Sequence, residues 1–301
     1  MPRRDAVYEV TRRQISNRLL DANGLRAQAN FAVARTKAFF REVLSFLTGR
    51  PNRLLAFDEV SEKLRIGGPI YRGVQTVRLD QIIGSVQRYQ DFDRAFLPIQ
   101  GHTANRWTRV NRAWYEDASL PPVRLYQVGD VYFVVDGHHR VSVAREHGLE
   151  DIDAEVRECQ VKVPVTPDLK PEDLEILGAE VEFLERTHLD QLRPDVHIAV
   201  TILGGYERML EHIAVHRYFM GLDFKRDITE AEAVAHWHDT VYLPVVRVIQ
   251  DSGLLAAFPG RSEADFYMWV MDRRHYLVEQ GEATLVEPGK AAEEFVAHFL
   301  E

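Results

Sequence analysis

The 301-residue chain has a single cysteine, Cys159, so no intramolecular disulfide can form, and no Cys/His array has zinc-finger spacing. A reducing compartment follows, and a cytoplasmic protein is expected. Long hydrophobic runs are missing too: the apolar stretch Ile198 to Leu203 is interrupted by Thr201 and falls far short of the ~20 residues that a membrane span requires. The opening Met1-Pro2-Arg3-Arg4 is basic, but no continuous apolar segment follows between Asp5 and Arg13, so no secretory signal is expected. Internal repeats and low-complexity segments are also lacking. Hydrophobic residues at 46%, charged residues at 28%, and 18 Gly and 13 Pro spread along the chain exclude a disordered or collagen-like protein. At about 150 residues per domain the length allows two globular domains, or one with a large extension.

Positive charge is scarce where it would favour a polyanion. The net charge is -9, and residues 161–301 hold 13 Lys and Arg against 26 Asp and Glu. Residues 1–50 are the opposite, with 10 basic against 4 acidic side chains. The acidic half argues against nucleic-acid binding over a whole face, while the basic N-terminal segment can still meet phosphates, so DNA is an allowed but unfavoured partner. Of the 37 basic residues 31 are Arg, which suits bidentate grip on carboxylate or phosphate and equally follows from GC-rich codon usage.

From Glu9 to Gly49 the pattern is helical, one broken or two consecutive basic helices, with Phe31, Ala34, Phe39, Val43 and Leu47 near helical spacing and Gly24 as a breaker. Arg50-Pro51-Asn52 is a stop, and Leu54 to Ile66 reads as a short helix. Val74 to Leu79 alternates like a strand, Asp80 to Gly84 reads as a turn, and Asp91 to Asp93 as a loop. An amphipathic helix is expected over Ala104 to Tyr115. Pro121-Pro122 then opens a hairpin, Val123–Val128 and Val131–Val135, turning at Gly129-Asp130. A helix should follow to His147-Gly148, and Ile152 to Val163 resembles a strand. After Pro164 helices dominate: Pro171 to Arg186, Tyr206 to Met220, Thr229 to Gln250 and Ser262 to Tyr276. These shifts suggest three parts: a basic helical segment 1–66, a domain of strands and helices 67–164, and a mostly helical acidic domain 165–301.

The most informative segment is Asp136-Gly137-His138-His139-Arg140, between the second hairpin strand and a helix. A helix start carries unpaired N–H groups and a partial positive charge, so basic side chains there are unfavourable unless an anion joins them. Gly137 permits close approach or positive φ. Asp136 can cap the helix or hold Mg2+ beside a phosphate. The alternative is that Asp136 caps the helix and pairs with a histidine, with no ligand involved. The residues themselves imply only an anion.

The order strand, loop with an arginine, helix, Pro-Pro, hairpin, then DGHHR opening a helix resembles the ParB/sulfiredoxin superfamily over roughly residues 70–163. The resemblance implies an α+β fold: a small mixed sheet with helices, here flanked by an N-terminal helical segment and a mostly α-helical C-terminal domain. In that superfamily the loop at the helix start binds nucleotide phosphates, CTP in ParB proteins and ATP or ADP in sulfiredoxins and free serine kinases; the kinases share the DGHHR box. A nucleoside di- or triphosphate with Mg2+ is therefore the implied cofactor. The whole chain also resembles an uncharacterised bacterial family described as ParB-like, with a helical C-terminal extension. Departures narrow the implication. His138 stands where sulfiredoxins carry their catalytic cysteine, and the box is not the GERR type of ParB proteins. The kinases use a glutamate base in the first loop, whereas Ser85 to Asp93 offers Arg88, Asp91 and Asp93 and no glutamate.

The implied assignment places phosphate oxygens against Gly137, His138, His139 and Arg140, with Arg88 in the first loop and Arg106 and Arg109 on a helix stripe that continues to Arg112 beside Trp107, Val110 and Trp114. Asp136 would orient Mg2+ or the acceptor, and Asp91 or Asp93 would be the base. Arg88 can instead pair locally with Asp91 or Asp93, and the stripe can be a solvated face over a Trp-anchored core. Two functions stay open: an enzyme hydrolysing a nucleotide or transferring its phosphoryl group to a small-molecule acceptor, and a nucleotide-gated DNA- or protein-binding regulator without turnover. A homo-oligomer is expected in either case. Elsewhere, His212 and His216 sit i, i+4 with His236 and His238 further on, a spacing that permits a metal but more simply gives structural histidines. Ser262 and Asp265 have the spacing of a helix cap, and Met268, Trp269 and Tyr276 fit core or interface positions.

Overall fold

The computed structural model describes the backbone of residues 3–48, 52–279 and 287–300, and side chains from Ala22 onward except at 278, 279, 299 and 300. The expected stop at Arg50-Pro51 lies outside the described residues. The chain divides into two compact units, Met1–Pro171 and Glu172–Glu301. Residues 165–171 belong with the first: Val165 O accepts from Asp130 N at 3.0 Å, and Arg94 Nη2 donates to Leu169 O at 2.6 Å.

In the first unit, α1 (Arg3–Thr48) is one helix that passes through Gly24 unbroken. It packs through Ala27, Phe31, Ala34 and Ala38, at i, i+4, i+7 and i+11, where small side chains allow close approach to α3 (Ala104–Tyr115). Phe31 meets Trp107 at 5.6 Å between ring centroids, and Asn30 Nδ2 donates to Tyr115 OH at 2.7 Å. Phe39, Val43 and Leu47, expected on the packed face, are exposed instead. Helical periodicity identifies a stripe; the alanine stripe, not the bulkier one, faces the unit.

The sheet has six strands in the order β1-β3-β5-β4-β6-β2. These are β1 (Leu55–Ala56), β2 (Pro69–Arg78), β3 (Ile82–Ser85), β4 (Val123–Val128), β5 (Val131–Asp136) and β6 (Asp151–Cys159). The β1-β3, β3-β5 and β4-β6 pairs are parallel, while β4-β5 and β2-β6 are antiparallel, giving a mixed sheet. Leu54–Ile66, expected as one helix, is instead β1 followed by α2 (Phe57–Lys63), so this segment is part of the sheet unit. The expected turn at Asp80–Gly84 is also corrected: a single 3-10 turn, Leu79–Gln81, leads into β3. At Gly84 a Cβ would lie 2.3 Å from Phe133, so only glycine lets β3 slide between β1 and β5.

The hairpin β4-β5 turns at Gly129-Asp130 as expected, and β6 alternates buried Ala154 and Val156 with exposed charges, the signature of one covered face. Against that face lie α3 and α4 (His138–Glu146): Trp107 is fully buried and its Nε1 donates to Ser142 Oγ at 2.9 Å. Arg145 near the end of α4 is half-buried over Phe96 and donates to the carbonyls of Leu79 and Ile82, tying the segment before β3 to the helix.

The second unit is helical: α5 (Leu174–Thr187), α6 (Leu189–Leu192), α7 (Gly205–Phe224), α8 (Glu230–Trp237), α9 (Leu243–Asp251), α10 (Leu254–Ala257), α11 (Glu263–Glu279) and α12 (Pro288–Leu300). Its core centres on Tyr206, Met209, Trp237, Tyr267 and Phe266. The helix expected over Thr229–Gln250 is interrupted by a π-helical turn at His238–Tyr242. Pro244, in the first turn of α9, cannot donate an amide to the preceding ladder. Ser262 and Asp265 cap α11 reciprocally, with Asp265 N donating to Ser262 Oγ at 3.2 Å and Ser262 N to Asp265 Oδ2 at 3.1 Å. Among the described residues no helix is long and apolar enough to cross a membrane.

Candidate functional site

The DGHHR segment forms the junction from β5 to α4. Gly137 is the N-cap, with φ +100°. A Cβ on it would lie 2.6 Å from Val123 Cγ1 and 3.0 Å from Arg140 Nη2, so both conformation and space demand glycine. Asp136 is not the cap, contrary to one expectation. Its Oδ2 accepts from Arg140 Nη2 at 2.6 Å, one turn on. Arg140 Nη1 donates to Pro122 O at 2.8 Å and also to Pro121 O, so the guanidinium ties the approach to the hairpin to the helix start. The first helical bond runs from Val141 N to Gly137 O at 3.0 Å, which leaves the amides of His138, His139 and Arg140 outside the ladder, as at any helix start.

The two histidines differ from the cationic pair expected. His138 is only 6% exposed and its Nε2 lies 2.7 Å from Ser85 Oγ. That oxygen accepts from Arg88 N at 3.0 Å and Gln87 N at 3.3 Å. A hydroxyl accepting two amides has its own hydrogen left for the ring, so Nε2 is the acceptor in this network. His139 is 4% exposed, its edge against Phe92 at 5.4 Å, and neither ring nitrogen has a hydrogen-bond partner among the described residues. Burial first, then the nearby arginines Arg88 and Arg106, push both imidazoles down to about 4, so both are neutral near pH 7. Positive charge at the site comes from arginine, not from histidine.

A cavity of about 390 Å³ opens here. Its polar wall is Arg88, Arg106, Asp136, His138, His139 and Arg140 around Gly137, and Gln87, Val110, Leu120, Pro121 and Val135 complete it. The fold thus gathers seven of the expected residues at one opening. Arg106 makes no ion pair among the described residues, whereas Arg88 lies 3.5 Å from Asp91, the local pairing that was the alternative for it. Three expected residues do not line the cavity. Arg109 lies on the exposed side of α3, since its register carries it past the opening. Asp91 is shared between Arg88 and His102, whose Nε2 is 3.3 Å away.

Asp93 is a buried carboxylate with both oxygens hydrogen-bonded. It is 1% exposed; Oδ1 accepts from Leu97 N at 2.8 Å and Ala95 N at 2.9 Å, and Oδ2 from Arg41 Nε at 3.1 Å and Asn52 Nδ2 at 3.4 Å. Burial raises its pKa. Its oxygens knit the loop after β3 to α1, leaving none directed at the cavity.

Sequence reasoning missed Ser85, because it falls at the end of a short strand read as a turn. It also missed Leu120, whose only signal was proximity to Pro121-Pro122, and it read Pro121 as the opening of the hairpin rather than as part of the cavity wall. Asp136 is the one carboxylate in the cavity wall, half-exposed, and a single carboxylate plus phosphate oxygens and water is an arrangement that suits Mg2+. In the second unit, His212 Nδ1 lies 3.1 Å from Tyr267 OH, His216 Nε2 lies 2.8 Å from His236 Nδ1, and His238 Nδ1 lies 2.8 Å from Asp239. Among the described residues no group of three or more His, Cys, Asp or Glu side chains is arranged around a common metal position. No protein-family model and no curated protein matches the chain.

Proposed function

We propose that the first unit binds a nucleotide through its phosphates, in the cavity at the start of α4. The observation that carries this reading is His139: a buried imidazole without a partner forfeits about 1–3 kcal/mol, and it stands in the wall of a cavity that also holds Arg106, a cation with no ion pair among the described residues. A phosphate oxygen meeting the His139 ring N–H, the Arg106 and Arg88 guanidinium groups and the free amides of the first turn would satisfy all of them. The neutral histidines would donate without adding charge, and Asp136 would hold Mg2+ between its carboxylate and the phosphates. That the phosphate belongs to a nucleoside di- or triphosphate, and that the unit is a ParB/sulfiredoxin-like domain, rests on the sequence resemblance.

Between turnover and gating, the partners of the two expected bases favour gating: Asp91 is shared between Arg88 and His102, Asp93 is engaged with the loop and α1, and Arg41 on α1 is one of the partners of Asp93. A nucleotide that moved the first loop would be felt through this pair by the basic helix, the segment suited to a DNA or protein partner or to a second copy of the chain. Hydrolysis or transfer to a small acceptor would rest on Asp136 alone.

Melting the full chain with CTP, ATP, ADP or GTP, with and without Mg2+, tests the reading. A ligand at a hundredfold excess over its Kd stabilises by about 2.7 kcal/mol. Selective stabilisation, abolished by Arg106→Ala and by His139→Leu, is the expected result. Stabilisation by no nucleotide, or stabilisation that survives both substitutions, overturns it.

A further inference from the structure

Within the second unit, one face of α7 is only partly covered. Leu210, Ile213, Ala214, Arg217, Tyr218, Gly221 and Leu222 recur at i, i+3 and i+4, and together they floor a groove of about 980 Å³. Arg186 on α5 forms part of the wall, and Lys225, Arg226, Asp227, Ile228 and Glu230, in the turn that leads from α7 to α8, complete it. The floor is apolar, with Ile213 and Ile228 buried and Leu222 and Tyr218 exposed along it.

The charge of this groove runs against its surroundings. Residues 172–301 carry 11 Lys and Arg against 25 Asp and Glu. Four of those cations line this one opening, and three of them, Arg186, Arg217 and Lys225, make no ion pair among the described residues. Arg217 is anchored over the floor by donating Nε to Ile228 O at 2.7 Å, while Arg226 is held by Glu232 at 2.7 Å. The carbonyl end of α7 accounts for cations at Lys225 and Arg226. It does not account for Arg186, on another helix, or for Arg217, two turns inside α7. Four cations against the two carboxylates Asp227 and Glu230 leave this lining net positive over its apolar residues, where carboxylates outnumber cations in the rest of the unit, and such a lining is complementary to an anion that carries an apolar tail.

We infer that this groove is a binding site for an anionic amphiphile, a carboxylate or phosphate head on an alkyl or aryl tail, with the head among Arg186, Arg217 and Lys225 and the tail along the Leu210–Leu222 face. The site is separate from the nucleotide cavity and does not depend on that reading.

The test is calorimetric titration of the full chain with decanoate and decyl phosphate below their micellar concentrations, beside inorganic phosphate and decyltrimethylammonium. Saturable binding of one equivalent of either anionic amphiphile is expected, with inorganic phosphate and the cationic amphiphile at least tenfold weaker. Arg186→Glu with Lys225→Glu should weaken decyl phosphate at least tenfold, and Leu222→Ser should weaken it without changing the preference for anions. Lys290→Glu, a charge reversal outside the groove, should leave it unchanged. Equal binding of the cationic amphiphile, or undiminished binding in the double charge reversal and in Leu222→Ser, overturns the assignment. Because Leu222 and the two cations are exposed, each variant should keep the parent melting temperature, which is read in the same samples.

Discussion

Ser85 Oγ and His138 Nε2, 53 residues apart in sequence, lie 2.7 Å from each other and join the end of β3 to the first turn of α4. The same oxygen collects two loop amides, so one hydroxyl sets both the loop carrying Arg88 and the tautomer of a buried imidazole. Ser85→Ala should therefore destabilise the protein by about 1–3 kcal/mol, the cost of leaving buried polar groups unmade. Urea unfolding measures this directly. Parent-like stability would show that the loop does not depend on the hydroxyl.

The depressed histidines have a consequence for pH. His138 and His139 are held near 4 by burial, whereas in the unfolded chain they take up protons around 6.5. The unfolded state then binds more protons between those values, so stability is complete above about 6.5 and falls as the pH drops towards 4. The loss is on the order of 3 kcal/mol for each ring. Comparing unfolding at pH 7 and pH 5 in the parent and in His139→Leu should show a shallower pH dependence in the variant. The same substitution should leave stability at pH 7 equal or higher, because it replaces an unpartnered buried imidazole with an apolar side chain of similar size. An identical slope in both proteins would contradict the assignment of His139 as a buried neutral ring.

Asp93 separates a structural from a catalytic role. Its four acceptor contacts predict that Asp93→Ala costs about 3 kcal/mol or more, with Asp93→Asn intermediate because Oδ1 can still accept from Leu97 and Ala95. A catalytic base would give a different outcome: unchanged unfolding in denaturant with loss of any turnover.

Much of the first unit was legible because local chemistry and tertiary structure agree there. The Gly129-Asp130 turn marked the hairpin, Ile152 to Val163 was legible as a strand that the structure gives as β6, and the apolar face of Trp107, Val110 and Trp114 marked α3. What was illegible depends on neighbours distant in sequence. β3 is buried on both faces and so shows no alternation. The exposed Phe39 and Leu47 and the buried Ala34 and Ala38 are equally consistent with a helix, and only packing tells which stripe turns inward. At the site, the motif marked the junction from β5 to α4, and its five residues line one cavity there. The charge state of His138 and His139 and the structural use of Asp93 and Asp136 could not be read, since burial and partners reside in the fold.

Gly137 offers the sharpest single-residue test of the junction. An alanine there must adopt φ near +100° and bring its Cβ to 2.6 Å from Val123 Cγ1 and 2.9 Å from Val123 Cβ. The left-handed conformation costs about 1–2 kcal/mol, and the collision adds about 1–3 kcal/mol, so Gly137→Ala should lower stability by roughly 2–5 kcal/mol. Two contributions can be separated, because only one involves Val123. In a double-mutant cycle with Val123→Ala, the clash with Cγ1 is relieved and the backbone strain remains, so the two substitutions together should cost less than the sum of each alone. Strict additivity would mean that the Cβ never meets Val123, and that Gly137 is required for its backbone conformation only.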